Sequence, residues 1–257
     1  MGKIIAITAG KGGSGKTALT AMLGLSLARQ GKNVCLVDLC LGMRGLDMAL
    51  GLQDQVVYDL YDLAQDECAM EQALLKSAQS DNLHLVAAPQ QEIADGLGER
   101  PLRRALERLQ KRFDAVLLDT PDVLFPITQR ACALADEMML ITLPGPCGER
   151  NAERAAALLH EKSSAPLSLI VNCYDKRLAA SGKASAPDAL SAYLDAPLIG
   201  LIPFSEEMRV AGLCGAVDAY PNRTMAAADE IAQRLSGKDI PLKIAVRRFP
   251  WRSLIEK

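Results

Sequence analysis

The feature that most constrains this chain is one eight-residue stretch: Gly10, Lys11, Gly12, Gly13, Ser14, Gly15, Lys16 and Thr17. It lies between the apolar run 4–8 and a segment of helical period, 16–30. A glycine-rich turn that follows a strand and opens a helix can aim successive backbone N–H groups at one anion. The helix behind it presents its positive end to the same point. The spacing therefore predicts a phosphate-binding P-loop, with Lys16 reaching the terminal phosphates of a nucleotide and the Thr17 hydroxyl joining the shell of a Mg²⁺ ion. Lys11, a second lysine within the loop, taken alone is a solvated charge.

A P-loop needs a parallel sheet behind it, and the rest of the chain has that rhythm. Continuous apolar runs, suited to strands buried on both faces, fall at 4–8, 34–38, 83–87, 115–119, 138–142, 167–172 and 198–202. Between them helical periods predict helices at 16–30, 70–77, 100–112, 126–135, 149–162, 186–194 and 223–235, with surface loops at 163–166 and 179–187. The expected fold is α/β: a doubly wound, mostly parallel sheet flanked by helices, the P-loop NTPase architecture. A chain of 257 residues, 49% apolar, can bury such a core without disulfides. The seven cysteines, at 35, 40, 68, 132, 147, 173 and 214, form no Cys-x-x-Cys pair and are expected to be reduced thiols packed in a cytoplasmic protein. No signal-peptide pattern and no run long enough to span a bilayer is expected to act.

In such sheets ligands bind beyond the carboxyl ends of the strands. Asp38 ends the second predicted strand and Asp119 the fourth, in AVLLDTP, and both are candidate Mg²⁺ residues. Asn172 follows LSLIV and Pro203 closes GLIP. Asn172 is either a base-contacting residue or a turn residue that satisfies its own backbone.

With these residues in view, KGGSGKT resembles the deviant phosphate loop of the MinD/ParA family. The segments LGMRGLDMALGL at 41–52, VVYDLYDL at 56–63 and NLHLVAAPQ at 82–90 are similar to MinD-type sequence, and the likeness spans roughly 2–236. The resemblance implies an ATPase that binds ATP/ADP with Mg²⁺ and forms an ATP-dependent homodimer. Lys11 would then reach the partner's nucleotide, Asp119 would be the Walker B carboxylate, and Asn172 and Pro203 would flank adenine. It also implies a regulatory protein partner and a role in placing division or flagellar sites. CLGMR stands at 40–44, where partition proteins carry a DPQGN-like stretch.

Three positions depart from the family pattern. Cys40 replaces the second aspartate of a DxD pair that orients the attacking water, and a neutral thiol cannot do a carboxylate's work. Asp122 and Val123 stand where a small residue and a glycine are usual. Asp122 is a carboxylate that could stand in for the missing one, but nothing in the sequence places it. Gly145 and Asn151 stand where acidic groups are common. The alternatives are a hydrolysis-impaired, ATP-dependent scaffold, favoured by Cys40 and Val123, and a DNA-partition ATPase. An iron–sulfur carrier would need a cysteine pair that is absent, and small-molecule kinases or ligases share the same loop.

The formal charge of −2 is unevenly spread. Lys243, Arg247, Arg248, Arg252 and Lys257 against Glu256 make the segment 240–257 +4, which leaves −6 on residues 1–239. An acidic ATPase domain at 1–239 argues against general nucleic-acid binding. The tail at 240–257 carries Trp251 and Phe249 among its cations, as a membrane-surface helix does, while Pro250 interrupts any continuous helix. The expected location is the cytoplasm, with the inner face of the cell membrane as a second address through residues 241–257. An extended tail packed on protein is the other outcome.

Overall fold

A computed structural model describes residues 1–91, 96–208 and 220–242. Cys214 and residues 243–257 of the predicted tail, Trp251 included, lie outside the described residues.

Strands β1 (Lys3–Ala9), β2 (Val34–Asp38), β3 (Leu75–Lys76), β4 (Leu83–Val86), β5 (Ala115–Asp119), β6 (Glu137–Thr142), β7 (Leu167–Tyr174) and β8 (Leu198–Pro203) form one sheet. Their order is β3-β4-β2-β5-β1-β6-β7-β8. The pairings are parallel except for the short β3 against β4. This is the doubly wound sheet expected from the apolar runs.

The strands are apolar throughout because each face is covered. Alternate residues of β1 serve opposite layers: Ile4 and Ala6 face one core, Ile5, Ile7 and Ala9 the other. On the second side lie α1 (Lys16–Arg29), α2 (Leu46–Leu50) and α10 (Asn222–Leu235). Helix α1 is buried almost all round, from Leu19 to Ala28, because α2 and α10 pack on it while it packs on the sheet.

The other layer contains α3 (Leu60–Ala64), α4 (Met70–Ala73), α5 (Glu99–Arg112), α6 (Pro126–Leu134), α7 (Pro146–Lys162) and α9 (Pro187–Leu194), and the short α8 (Lys176–Ala180), between β7 and α9 in the chain, buries no side chain. Helix α5 buries Leu102, Ala105, Leu106 and Leu109, the spacing of a single helical stripe. Helices α6, α7 and α9 each open on proline, whose fixed φ suits the first helical position.

The differences from the expected elements are local. The helix expected at 70–77 stops at Ala73, because Leu74 turns extended and Leu75–Lys76 pairs with β4. Part of the loop expected at 179–187 is helical: α8 runs to Ala180, its start capped by Asp175 accepting from the Arg177 N–H. Beyond α10, Arg234 donates to the carbonyls of Ile240 and Pro241 at 2.8 and 3.2 Å and of Ile199 at 3.0 Å. The first residues past position 239 are thus held on the body.

Candidate functional site

The order β2-β5-β1 brings three strand ends together. In the register of β2 on β5, Asp38 stands opposite Asp119, and Ile7 of β1 also pairs with Asp119. The loop after β1 therefore rises beside both carboxylates.

That loop is shaped by contacts that only glycine permits. Gly15 caps the start of α1 at φ 89°, and no side chain satisfies the first N–H groups of the helix. A Cβ at Gly15 would lie 2.3 Å from the Asn172 amide nitrogen, and one at Gly10 would lie 2.2 Å from the Asn151 carbonyl. Asn172 Nδ2 donates to the Ser14 carbonyl at 2.8 Å, so β7 straps the loop from outside. Its Oδ1 accepts the Cys173 N–H at 2.8 Å. Both ends of this amide are thus bonded to backbone, one to the next residue and the other to the phosphate loop 158 positions away. Lys16 is 8% exposed, inside the loop, whereas Lys11 projects to solvent.

Below the loop lie the acids. Thr17 Oγ1 donates to Asp119 Oδ2 at 2.6 Å, while Asp119 Oδ1 is buried with no partner. Asp38 accepts three backbone N–H groups, from Cys40 at 2.8 Å, Gly45 at 3.0 Å and Leu46 at 3.1 Å. It thereby folds the following loop back over the strand end. Burial, reinforced by the charge of Asp38, pushes the Asp119 carboxyl up to about 7. Burial also raises Asp38, against the pull of its three N–H donors. Burial, then the charges of Asp119 and Asp38, raise the Cys40 thiol and keep it neutral.

Donor atoms of Asp38, Cys40 and Asp119 lie within 4.8 Å of one another. An orphaned carboxylate oxygen, a hydroxyl and a second buried acid suit a hard divalent cation that retains several waters. Thr17 and Asp119 are the residues that would hold Mg²⁺; Asp38 adds charge while its oxygens organise the loop.

Two cavities open at the carboxyl ends of the strands. One of about 1080 Å³ is lined by Gly12, Lys16, Thr17, Cys40, Asp122 and Arg130, among others. Its apolar lining includes Met43 and Phe125, 82% and 51% exposed. The other, of about 590 Å³, lies at the ends of β7 and β8 and is lined by Tyr174, Pro203 and Phe204 with Arg223 and Glu230. Pro203 is thus on a wall of the second cavity, beside the aromatic residues that sequence reasoning passed over; Phe204 adjoins Pro203 and carried no motif. Val123 stands where the family pattern has a glycine. It is 3% exposed, packs in the core, lies outside the positive-φ region and donates its N–H to the Ala9 carbonyl at 3.0 Å. The chain after β5 is anchored there, with no glycine-like turn required. Gly145, by contrast, adopts φ 99° at the start of α7, where a side chain would be strained.

A phosphate loop on a parallel sheet, with buried acids at the adjoining strand ends, defines a P-loop nucleotide-binding domain. Comparison with known proteins agrees. The family described as AAA domain matches residues 2–160. The septum site-determining protein MinD of Synechocystis sp. is 34% identical over 244 residues, 94% of this chain and 92% of that protein. The structure of the MinC:MinD cell division protein complex from Aquifex aeolicus has a chain that superposes with a TM-score of 0.84. It is 31% identical and covers 94% of this chain and 98% of its own. MinD from Pyrococcus horikoshii complexed with Mg-ADP superposes at 0.78, with 27% identity over 91% of this chain and 96% of that one. The chain belongs to the MinD/ParA family of P-loop ATPases.

Proposed function

We propose that this protein is a slow ATPase that ATP switches into a sandwich homodimer, and that the dimer acts in spatial regulation of the kind named for its septum-site relatives. The observation that carries this reading is the division of labour between two lysines of one loop. Lys16 is buried where the phosphates of the chain's own nucleotide would sit. Lys11 is exposed and makes no hydrogen bond or ion pair among the described residues. A cation held on the open side of a phosphate loop is placed to serve a second nucleotide, and the exposed Met43 and Phe125, which line the cavity with Gly12 and Lys16 of the same loop, are apolar area that a second copy would cover.

In this mechanism the unsatisfied N–H groups at the start of α1 and Lys16 bind and orient the phosphates, and Lys11 from the partner neutralises charge that develops during transfer. Bound Mg²⁺ would supply further charge neutralisation, held by Thr17 and Asp119. Asn172 serves the nucleotide by fixing the loop, and the cavity walled by Tyr174, Pro203 and Phe204 offers apolar surface for a base. The Aquifex relative was solved with MinC, which supports a regulatory protein as partner here also. No helix among the described residues is long and apolar enough to cross a membrane; attachment to a membrane surface would rest on residues 241–257.

Cys40 favours a second reading, an ATP-dependent scaffold in which hydrolysis is lost. Equilibrium titration with ATP and ADP tests what both share. Binding is expected to require Mg²⁺ for full affinity and to weaken at least about tenfold in Lys16→Ala, the loss of one charge-assisted contact. Equal binding by that variant would overturn the assignment of the loop. Phosphate release in a single turnover separates the ATPase from the scaffold.

A further inference from the structure

Hydrolysis of a phosphoanhydride needs a group that accepts a hydrogen bond from the attacking water and aims it at phosphorus. The usual residue for this is not available here. Cys40 is a neutral thiol, Asp38 spends its oxygens on three backbone N–H groups, and Asp119 is engaged with Thr17 at the cation position. Among the described residues that line the 1080 Å³ cavity with Lys16, Thr17 and Cys40, Asp122 alone carries a carboxylate.

Its setting is that of a held group. The N–H of Val123, the next residue, is bonded to the carbonyl of Ala9, which directly precedes the phosphate loop, and its side chain is locked in the core. On the other side, Thr120 donates backbone and side-chain bonds to the Ile7 carbonyl at 3.3 and 2.9 Å. The Asp122 carbonyl accepts the Phe125 N–H at 3.1 Å. The backbone around Asp122 is therefore tied to β1 before and after it, while its half-buried carboxylate has no hydrogen bond or ion pair among the described residues. A free carboxylate on a fixed loop, facing the phosphate cavity, is what a water-orienting group requires.

We infer that Asp122 takes the place of the carboxylate missing at Cys40 and orients the attacking water. The inference rests on the ATPase reading above. The water oxygen forms the new bond to the γ phosphorus as the bond from phosphorus to the bridging oxygen breaks, and ADP leaves with that oxygen and its electron pair. The proton released by the water passes to the Asp122 carboxylate and from there to the phosphate product. Val123 and Asp122 then form one device: the buried valine fixes the loop that a glycine would leave mobile, and so fixes the acid.

The test uses full-length protein with Asp122→Asn, which keeps size and removes the charge. Single-turnover phosphate release is expected to fall about 10²-fold, while ATP affinity and the KM for ATP stay within about twofold. Sedimentation of the ATP-loaded variant is expected to show a dimer that persists after the wild type has returned to monomer. Adding Cys40→Asp to Asp122→Asn should restore at least about tenfold of the lost rate. Unchanged phosphate release in Asp122→Asn, or a wild type that binds ATP and dimerises without releasing phosphate, would overturn the role of Asp122 and leave the nucleotide switch standing. A wild type that fails to bind ATP would overturn the ATPase reading itself.

Discussion

At the residue scale, the site is governed by the burial of two acids side by side. Asp119 ionises near 3.8 when unfolded but at about 7 in the fold, through burial and then the charge of Asp38. The folded protein therefore holds more protons between those values, and its stability falls as pH rises through that window; below it both states are protonated and nothing is lost. Without nucleotide and Mg²⁺, the thermal midpoint should drop between about pH 4 and about pH 8, and Asp119→Asn should make that drop shallower and raise the midpoint at the upper end. An equally steep drop in the variant would show that Asp119 does not carry this cost. A cation beside the orphaned oxygen would offset the same penalty, so the cost of burying these two acids would be the counterpart of cation binding.

At the element scale, the loop after β5 is a fixed piece. Val123 buries its side chain and donates to Ala9. Val123→Gly removes that burial and adds backbone freedom, an expected loss of about 2–4 kcal/mol, measurable as a lower urea midpoint. A neutral or stabilising result would mean that the loop needs the flexibility of glycine after all. This element also shows where sequence reasoning reached its limit. The long strands were legible because burial on both faces makes them continuous apolar runs, and α5 because its stripe keeps one period. Helices α2, α3 and α8, of five residues each, are too short to display a period. The two-residue β3 exists only because β4 offers it an edge. In the site, Asp38 and Asp119 were legible from their places at strand ends. The bond from Asn172 to Ser14 joins residues 158 positions apart, and the three donors to Asp38 come from a loop whose path no motif dictates. Asp122 was visible in the sequence as an unplaced acid; the anchoring of Val123 supplies its place.

At the scale of the whole molecule, the fold leaves one side of the phosphate loop open. Lys11 stands there unpaired among the described residues, and the loop's Gly12 and Lys16 line a cavity whose apolar lining includes Met43 and Phe125. On the body, Arg234 holds residues 240–241 against α10 and β8. An acidic body of −6 makes general nucleic-acid binding a poor use of this surface, whereas a second copy would cover the apolar area and bring its own phosphates to Lys11. We propose that ATP builds this dimer across the open face. Sedimentation velocity with ADP, with ATP, and with ATP on Lys11→Ala tests it most directly. The expected result is a monomer with ADP, a dimer with ATP, and a monomer for Lys11→Ala even with ATP bound; the same mass in all three conditions would overturn the ATP-built dimer.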